Sequence, residues 1–183
     1  MKKALFLDRD GVINIDYGYV HKIEDFTFIE EIFEICLKAQ QSGYMIFIIT
    51  NQGGIARGYY KISDFEKLTH WMEEEFKKRG ITITKTYYCP FYEGGVVEEF
   101  SKPSFDRKPS PGMLLKAKEE FDIDLSQSLL IGDTETDIIA AKNANLGASY
   151  LIEGNNDILT SCSFSNACFS VLTPKCLVKF LTP

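Results

Sequence analysis

The chain contains 183 residues, of which 45% are hydrophobic and 25% charged, and it carries a formal net charge of −6. These values predict a single globular domain over residues 1–183 and argue against nucleic acid as a partner. No apolar run is long enough to cross a membrane, and Met1-Lys2-Lys3 leads directly into a predicted strand, so we expect neither a signal sequence nor membrane association.

The first predicted strand ends in two closely spaced acids. Residues 4–7 form a short apolar run, typical of a strand that is covered on both faces. Asp8 and Asp10 follow it, directly before Gly11, which permits a sharp turn. Two neighbouring carboxylates both stay ionised only if a cation binds them or their pKa values separate, so one can serve as nucleophile and the other as proton donor. Taken alone, the pair is equally compatible with a polar exit from the strand.

Helices and strands alternate through the middle of the chain. A helix is predicted near residues 30–41, and a second buried strand at 46–49 runs into the polar residues of 50–54. Residues 63–66 read as a capping box at the start of a further helix. The apolar stripe of that helix is assigned to the core, and it consists of Phe65, Leu68, Met72 and Phe76.

A long irregular segment separates the next strand from the next helix. The strand is predicted near residues 82–88, and the segment that follows spans 89–109. Two adjacent cations, Arg107 and Lys108, lie near the end of the segment. Ser110 is predicted to cap the helix that follows, with a proline at the first helical position.

The last elements complete an α/β pattern. A strand at 129–132 ends in Asp133, and further strands are predicted at 149–152 and, as an edge strand, at 169–172. A short final helix is predicted to start at 173–174. Strands that alternate with helices predict a doubly wound, Rossmann-like parallel sheet with helices on both faces. The short connections after the first two strands leave no room for a large cap domain.

The order of these motifs resembles the haloacid dehalogenase-like phosphatase superfamily: Asp-x-Asp-Gly, Thr-Asn, a lysine before a helix, then Gly-Asp-x-x-x-Asp. The segments LFLDRDGVIN, GYVH, ITNQGGIARG and RKPSPGML more closely resemble the D-glycero-D-manno-heptose-1,7-bisphosphate 7-phosphatases, which are relatives of the histidinol phosphatases. The match runs from about residue 3 to about residue 151. It implies the haloacid dehalogenase fold and an Mg2+-dependent phosphatase that acts through an aspartyl-phosphate intermediate.

The resemblance implies a role for each motif residue. Asp8 would be the nucleophile and Asp10 the general acid and base. Thr50 and Lys108 would hold the transferred phosphoryl group. Asp8, the backbone carbonyl of Asp10, and Asp133 would bind Mg2+. Substrate recognition is assigned to Asp16, Tyr17, Gly18, Tyr19, Asn51, Gln52, Gly53, Arg107 and Thr134.

Two features depart from the family pattern. The family typically holds a structural zinc in the segment that corresponds to 89–109, but the four ligand positions here are Cys89, Phe91, Ser104 and Asp106. One thiolate and one carboxylate are too few for a tetrahedral structural site, so we predict no zinc. The segment is predicted instead to be held by packing of Phe91, Tyr92, Val96, Val97 and Phe100. Thr134 stands where the family commonly has a lysine. The loss of that positive charge changes how the substrate phosphates are expected to be bound.

The sequence leaves several alternatives open. Asp137, one helical turn after Asp133, either supports the metal ligands or is an acid favoured in the first turn of a helix. The expected substrate is heptose bisphosphate, a precursor of lipopolysaccharide or capsule, and the alternative is histidinol phosphate or another small phosphomonoester. A sugar-phosphate sensor is disfavoured, because a binding protein has no need of a nucleophile.

Cysteine content bears on the cellular compartment. The five cysteines are an odd number without the density of a disulfide scaffold, so a reducing cytoplasm is expected. The expected partner is a small phosphorylated sugar, and the protein is expected to be a monomer.

Overall fold

The computed structural model describes residues 1–153, 158–162 and 169–172. Within these residues the elements in chain order are β1 (Lys3–Leu7), α1 (Glu31–Gln41), β2 (Tyr44–Asn51), α2 (Ile62–Lys78), β3 (Ile83–Cys89), α3 (Gly112–Phe121), β4 (Leu129–Gly132), α4 (Glu135–Asn143), β5 (Ala148–Glu153), β6 (Ile158–Cys162) and β7 (Phe169–Leu172). Short 3-10 turns lie at Ile23–Asp25, Glu98–Phe100 and Leu125–Gln127.

The strands form one sheet in the order β3-β2-β1-β4-β5-β6-β7. The first five strands in this order pair in parallel, and β6 and β7 extend the sheet antiparallel. The chain order reverses beside β1, whose Leu5 pairs with Ile46 on one side and Leu129 on the other. Such a reversal opens a crevice at the carboxyl ends of the strands, where ligands bind in this class of fold. The predicted α/β class with a doubly wound parallel sheet and no large cap is confirmed.

Alternate residues of the central strands face opposite layers of helices. Leu5 and Leu7 of β1 pack in one buried cluster with side chains of α1 and α2. Ala4 and Phe6 pack on the opposite face with α3 and α4. Because β1 is covered on both faces, all four of its apolar residues are fully buried, which explains the unbroken apolar run in the sequence. The stripe predicted on α2 is likewise confirmed as core: Phe65, Leu68, Met72 and Phe76.

Two predicted helix starts were wrong by one or two residues. Helix α2 begins at Ile62, and the backbone N–H of Lys61 donates to Asp64 Oδ2 at 2.9 Å, so the first turn is closed two residues before the predicted capping box. Helix α3 begins at Gly112, with no side-chain cap from Ser110. Several residues can satisfy the free N–H groups of a first turn, so local sequence fixes a helix start only approximately.

At the far edge of the sheet, the predicted strand at 169–172 is β7, whereas β6 was not predicted. The helix predicted from 173–174 lies outside the described residues. None of the helices that the structure describes is both long enough and apolar enough to span a membrane.

Candidate active site

A cavity of about 420 Å³ opens at the carboxyl ends of the central strands. All of the residues predicted for the site line it except Tyr17, whose side chain is 62% exposed and lies outside the lining. For Tyr17, therefore, the structure does not support a place in the site. The lining also includes four residues that sequence analysis did not assign to the site: Arg57, Tyr60, Tyr92 and Thr136.

Gly11 allows the loop after β1 to approach the loop after β4. Its φ of +82° lies in the left-handed region that favours glycine. A Cβ added at this position would lie 2.1 Å from Asp133 Oδ2. The carboxylate of Asp133 therefore lies directly against the backbone of the Asp8–Asp10 loop, at a distance that only glycine permits.

Three carboxylates converge at this point. One oxygen from each of Asp8, Asp133 and Asp137 lies within 4.8 Å of the other two. Burial raises the pKa of Asp8 to about 8, although the Lys108 ammonium opposes the rise, and burial also raises the pKa of Asp133 to about 6. Hard oxygen donors that repel one another in a buried site suit a divalent cation such as Mg2+, which would favour their charged forms.

Lys108 occupies the centre of the buried charge cluster. Its Nζ lies 2.9 Å from Asp8 Oδ1 and 2.5 Å from Asp137 Oδ1, and it donates to the carbonyl of Ile49 at 3.1 Å. Burial alone would lower the pKa of Lys108, but Asp8 and Asp137 together raise it, so the ammonium stays charged. This lysine was predicted to lie near the phosphoryl group, and the structure places it beside the predicted nucleophile.

Asn51 fixes the backbone on which Lys108 is carried. Its Oδ1 accepts from the Lys108 N–H at 3.0 Å, and its Nδ2 donates to the Lys108 carbonyl at 3.1 Å. Both polar groups of the Asn51 side chain are thus engaged with protein. Asn51 lines the cavity, and its contacts indicate that it positions the lysine.

Asp137 combines features of the two alternatives that the sequence left open. It lies in the first turn of α4, where Oδ2 accepts from the N–H of Thr134 at 3.2 Å and from its hydroxyl at 2.7 Å. Its other oxygen pairs with Lys108. A Cβ on Gly132 would lie 2.2 Å from the Cβ of Asp137, so glycine is required for this fully buried aspartate to fit.

Asp10 is held by several donors. Arg9 Nη2 lies 3.0 and 2.9 Å from the two oxygens of Asp10, and Arg9 Nε donates at 3.2 Å. Asn14 Nδ2 donates to Oδ1 at 3.1 Å, and Gln52 Nε2 to Oδ2 at 3.2 Å. The guanidinium of Arg9 is itself buried, where it also donates to the carbonyl of Val20 at 2.6 Å. These contacts fix the direction of the predicted acid and base.

Gln52 links the predicted acid to the predicted phosphate-binding threonine. Its Nε2 also donates to Thr50 Oγ1 at 2.8 Å, and its Oε1 accepts from the Tyr60 hydroxyl at 2.5 Å. Gln52 and Thr50 are each 1% exposed. Gln52, predicted to contact substrate, therefore also orders the catalytic loop from within the protein.

The loop that follows the acidic motif forms one side of the cavity mouth. Asp16 Oδ1 accepts from the Gly18 N–H at 2.8 Å, and Gly18 and Tyr19 both have positive φ, +81° and +56°. The ring of Tyr19 meets that of Tyr59 edge-on at 4.7 Å. Of the two tyrosines in this tight turn, Tyr19 lines the cavity and Tyr17 does not.

Another part of the cavity lining is built around an aromatic ring. The Cζ of Arg57 lies 3.8 Å from the centroid of Tyr92, and the Cζ of Arg107 lies 5.1 Å from it. Arg107 Nη1 also donates to the carbonyl of Phe91 at 3.1 Å. Arg57 lies in the segment ITNQGGIARG, whose resemblance to the family was the signal that could have assigned it to the site. Nothing in the sequence shows that Arg57 contacts Tyr92.

The segment 89–109 is held by part of the predicted packing and by backbone hydrogen bonds. Phe91 and Phe100 each pack against a buried cluster, whereas Val96 is 80% exposed and none of the five apolar residues is fully buried. The N–H of Tyr92 donates to the carbonyl of Phe100 at 3.1 Å, and that of Val97 donates to the carbonyl of Ala56 at 2.9 Å. Phe91 and Phe100 meet edge-on at 5.7 Å.

The former ligand positions in this segment have other partners. Asp106 forms an ion pair with Lys116. Burial raises the pKa of the Cys89 thiol, which disfavours the thiolate that zinc needs. Within the described part of the chain, neither residue belongs to a cluster of three or more ligands that could share a metal ion.

Comparisons with known proteins indicate the same class of enzyme. A family model described as "HAD-hyrolase-like" matches residues 105–157. The chain is 54% identical over 150 residues to the D-glycero-alpha-D-manno-heptose-1,7-bisphosphate 7-phosphatase of Campylobacter jejuni subsp. jejuni, a match that covers 82% of each protein. It is 42% identical over 155 residues to the D-glycero-beta-D-manno-heptose-1,7-bisphosphate 7-phosphatase of Escherichia coli (strain K12), covering 85% of this chain and 81% of the relative.

A solved structure shows the same fold. The crystal structure of D,D-heptose 1,7-bisphosphate phosphatase from B. bronchiseptica, complexed with magnesium and phosphate, matches with a TM-score of 0.73 at 26% identity. The match covers 81% of this chain and 79% of that one. Similarity in sequence and in structure therefore extends over most of the length of the chain.

Proposed function

Since it shares 42% and 54% identity with two such enzymes, the chain belongs to the heptose-1,7-bisphosphate 7-phosphatases of the haloacid dehalogenase-like hydrolases, and we propose that it removes the C7 phosphate of D-glycero-D-manno-heptose 1,7-bisphosphate. It is a phosphoric monoester hydrolase. The observation that carries the proposal is the arrangement of Lys108 against the buried Asp8 in a cavity that also contains Asp10 and Asp133.

In the first half of the proposed reaction, Asp8 attacks the phosphorus. A bond forms between a carboxylate oxygen of Asp8 and phosphorus while the bond from phosphorus to the sugar C7 oxygen breaks. Asp10 delivers a proton to that leaving oxygen, and the sugar departs as an alcohol. Lys108 and Thr50 hold the phosphoryl oxygens, and the Lys108 ammonium compensates their negative charge.

In the second half, water hydrolyses the aspartyl phosphate. Asp10, now ionised, takes a proton from the water as its oxygen attacks phosphorus. The bond between phosphorus and the Asp8 oxygen breaks, which releases inorganic phosphate and restores the carboxylate. The donors on Asp10 from Arg9, Asn14 and Gln52 keep it in place for both proton transfers.

The donor set of the site fits Mg2+. Asp8, the backbone carbonyl of Asp10, and Asp133 would hold the ion, and Asp137 would support them through Lys108. When bound, Mg2+ neutralises the carboxylates and the phosphate, so that the attack of one anion on another becomes feasible. We propose no zinc site in the segment 89–109, because Asp106 is paired and Cys89 is held as a thiol.

For the sugar, we propose recognition by the loop of Asp16, Gly18 and Tyr19 and by Gly53 and Arg107, all of which line the cavity. Thr134 also lines the cavity, and its hydroxyl donates to Asp137 Oδ2. A planar guanidinium suits a second phosphate on the substrate. The product would serve as a precursor in the synthesis of lipopolysaccharide or capsule. That the protein is a single domain, a monomer and cytoplasmic stays a prediction.

The proposal is tested by initial rates with Mg2+ on both anomers of heptose 1,7-bisphosphate, on histidinol phosphate and on p-nitrophenyl phosphate. We expect the highest kcat/KM on one heptose anomer and no steady-state turnover by Asp8→Asn, since an amide cannot form the acyl phosphate. A kcat/KM on histidinol phosphate higher than that on either heptose anomer would identify histidinol phosphate as the substrate instead. Turnover by a pure Asp8→Asn protein would contradict the mechanism, and binding without turnover by the wild type would indicate a sensor.

A further inference from the structure

The side chain of Gln52 is engaged by protein groups at both ends of its amide. Its Nε2 donates to Thr50 Oγ1 at 2.8 Å and to Asp10 Oδ2 at 3.2 Å, and its Oε1 accepts from the Tyr60 hydroxyl at 2.5 Å. A side-chain amide has two N–H donors, so both are used within the protein. With only 1% of the residue exposed, Gln52 has no further N–H to offer a substrate.

The direction of the Gln52 amide is fixed by its partners. Asp10 Oδ2 also accepts from Arg9 at 2.9 Å, so it requires the N–H end of the amide, and the reverse orientation would set two acceptor oxygens against each other. At the other end, burial raises the pKa of Tyr60, so its hydroxyl keeps the proton that it donates to Oε1. Gly54 leaves space for this ring, because a Cβ there would lie 2.3 Å from Tyr60 Cε1.

The orientation of the amide decides how the Thr50 hydroxyl is used. A hydroxyl has one hydrogen to donate, and an amide oxygen facing it would accept that hydrogen. Because Gln52 presents an N–H instead, Thr50 Oγ1 is the acceptor in this contact, and its own hydrogen stays available to a phosphoryl oxygen in the cavity that Thr50 lines. Donors that are oriented in advance stabilise the charge that develops on a transferred group.

We propose that Gln52 is a positioning residue, which directs the Thr50 hydroxyl towards the transferred phosphoryl group and holds Asp10 in place, and that it does not contact the sugar. The inference rests on the proposed function, since it requires phosphoryl transfer, but it does not depend on which sugar carries the phosphate. Because Gln52 acts through Thr50 and Asp10, its replacement should slow the reaction of any phosphate ester.

The test measures kcat/KM of Gln52→Met and Gln52→Glu on heptose 1,7-bisphosphate and on p-nitrophenyl phosphate, which has no sugar. Both substitutions keep about the size of glutamine and remove its N–H donors. We expect kcat/KM to fall by about 10- to 100-fold on both substrates, which is below the cost of about 10²- to 10³-fold for removing a direct donor.

A double-mutant cycle with Thr50→Val on p-nitrophenyl phosphate tests whether Gln52 acts through Thr50. Nitrophenolate is a good leaving group, so kcat/KM on this substrate depends little on the proton from Asp10. Once the Thr50 hydroxyl is absent, Gln52→Met should lower kcat/KM by less than about 3-fold, because the group that it orients is gone.

Gln40→Met is the matched control. The Gln40 amide is also engaged at both ends, since Nε2 donates to the carbonyl of Gly80 at 3.0 Å and Oε1 accepts from the N–H of Thr82 at 2.8 Å, but it lies outside the cavity lining. This variant should keep the wild-type kcat/KM on both substrates.

Three results would count against these assignments. A loss in Gln52→Met that is confined to heptose bisphosphate would identify Gln52 as a sugar contact and refute the inference, while the proposed function stands. Losses that multiply in the cycle would show that Gln52 does not act through Thr50, which also refutes it. If the wild type hydrolyses p-nitrophenyl phosphate but not heptose bisphosphate, the proposed substrate is refuted, and the cycle alone decides the inference.

Discussion

Replacing Lys108 by methionine should strongly destabilise the protein as well as inactivate it. The variant removes the ammonium that pairs with Asp8 and Asp137, whose side chains are 12% and 0% exposed. Removing one partner of a buried ion pair costs about 3–5 kcal/mol, because the remaining charge is left without compensation. In a protein of this size each kcal/mol lowers Tm by about 2–4 °C, so Tm should fall by about 6–20 °C.

Thermal denaturation in EDTA measures this effect without a contribution from bound metal. Lys116→Met is the matched control, since its ion pair with Asp106 is exposed and should contribute at most about 1 kcal/mol. Adding Asp137→Asn to Lys108→Met should restore part of the lost Tm, because the amide carries no buried charge. If Lys108→Met and Lys116→Met melt at the same temperature, the buried pair does not have the energetic role assigned to it.

Three further predictions concern the acid, the metals and pH. Asp10→Asn should lower kcat by about 10²- to 10⁴-fold while Mg2+ still binds, and loss of Mg2+ binding in calorimetry would refute a ligand role limited to the carbonyl. The purified protein should contain no stoichiometric zinc, and EDTA should abolish activity in a way that Mg2+ alone reverses; elemental analysis that finds one zinc per chain would refute this. In EDTA, Tm should fall as pH rises from about 4 to about 8, because Asp8 and Asp133, with pKa values of about 8 and 6, bind more protons folded than unfolded. Saturating Mg2+ should flatten this dependence, and a Tm that rises with pH in EDTA would contradict the assignment.

Much of the fold follows from local patterns in the sequence. The unbroken apolar run of β1 and the 3.6-residue stripe of α2 depend on neighbours along the chain, so their periodicity predicts both elements and their burial. Helix starts were less predictable: α2 uses Asp64 and α3 begins at Gly112, because several local residues compete to satisfy the first N–H groups. No pattern in the sequence predicted the antiparallel β6.

The candidate site also has one part that the sequence predicts and another that only the tertiary structure shows. The sequence by itself predicted the acids of the site, because Asp8, Asp10 and Gly11 lie within four residues at the end of a strand and the order of the motifs resembles a known phosphatase family. Only the tertiary structure decided how distant residues meet, and it places Asn51 on the backbone of Lys108.

The arginine pair is the clearest case of what only the tertiary structure decided. Arg57 and Arg107 lie fifty residues apart in the sequence and share the ring of Tyr92. Such contacts depend on how the loops come together at the ends of the strands. The energies that position them act across space between segments remote in the chain, so no local pattern records them.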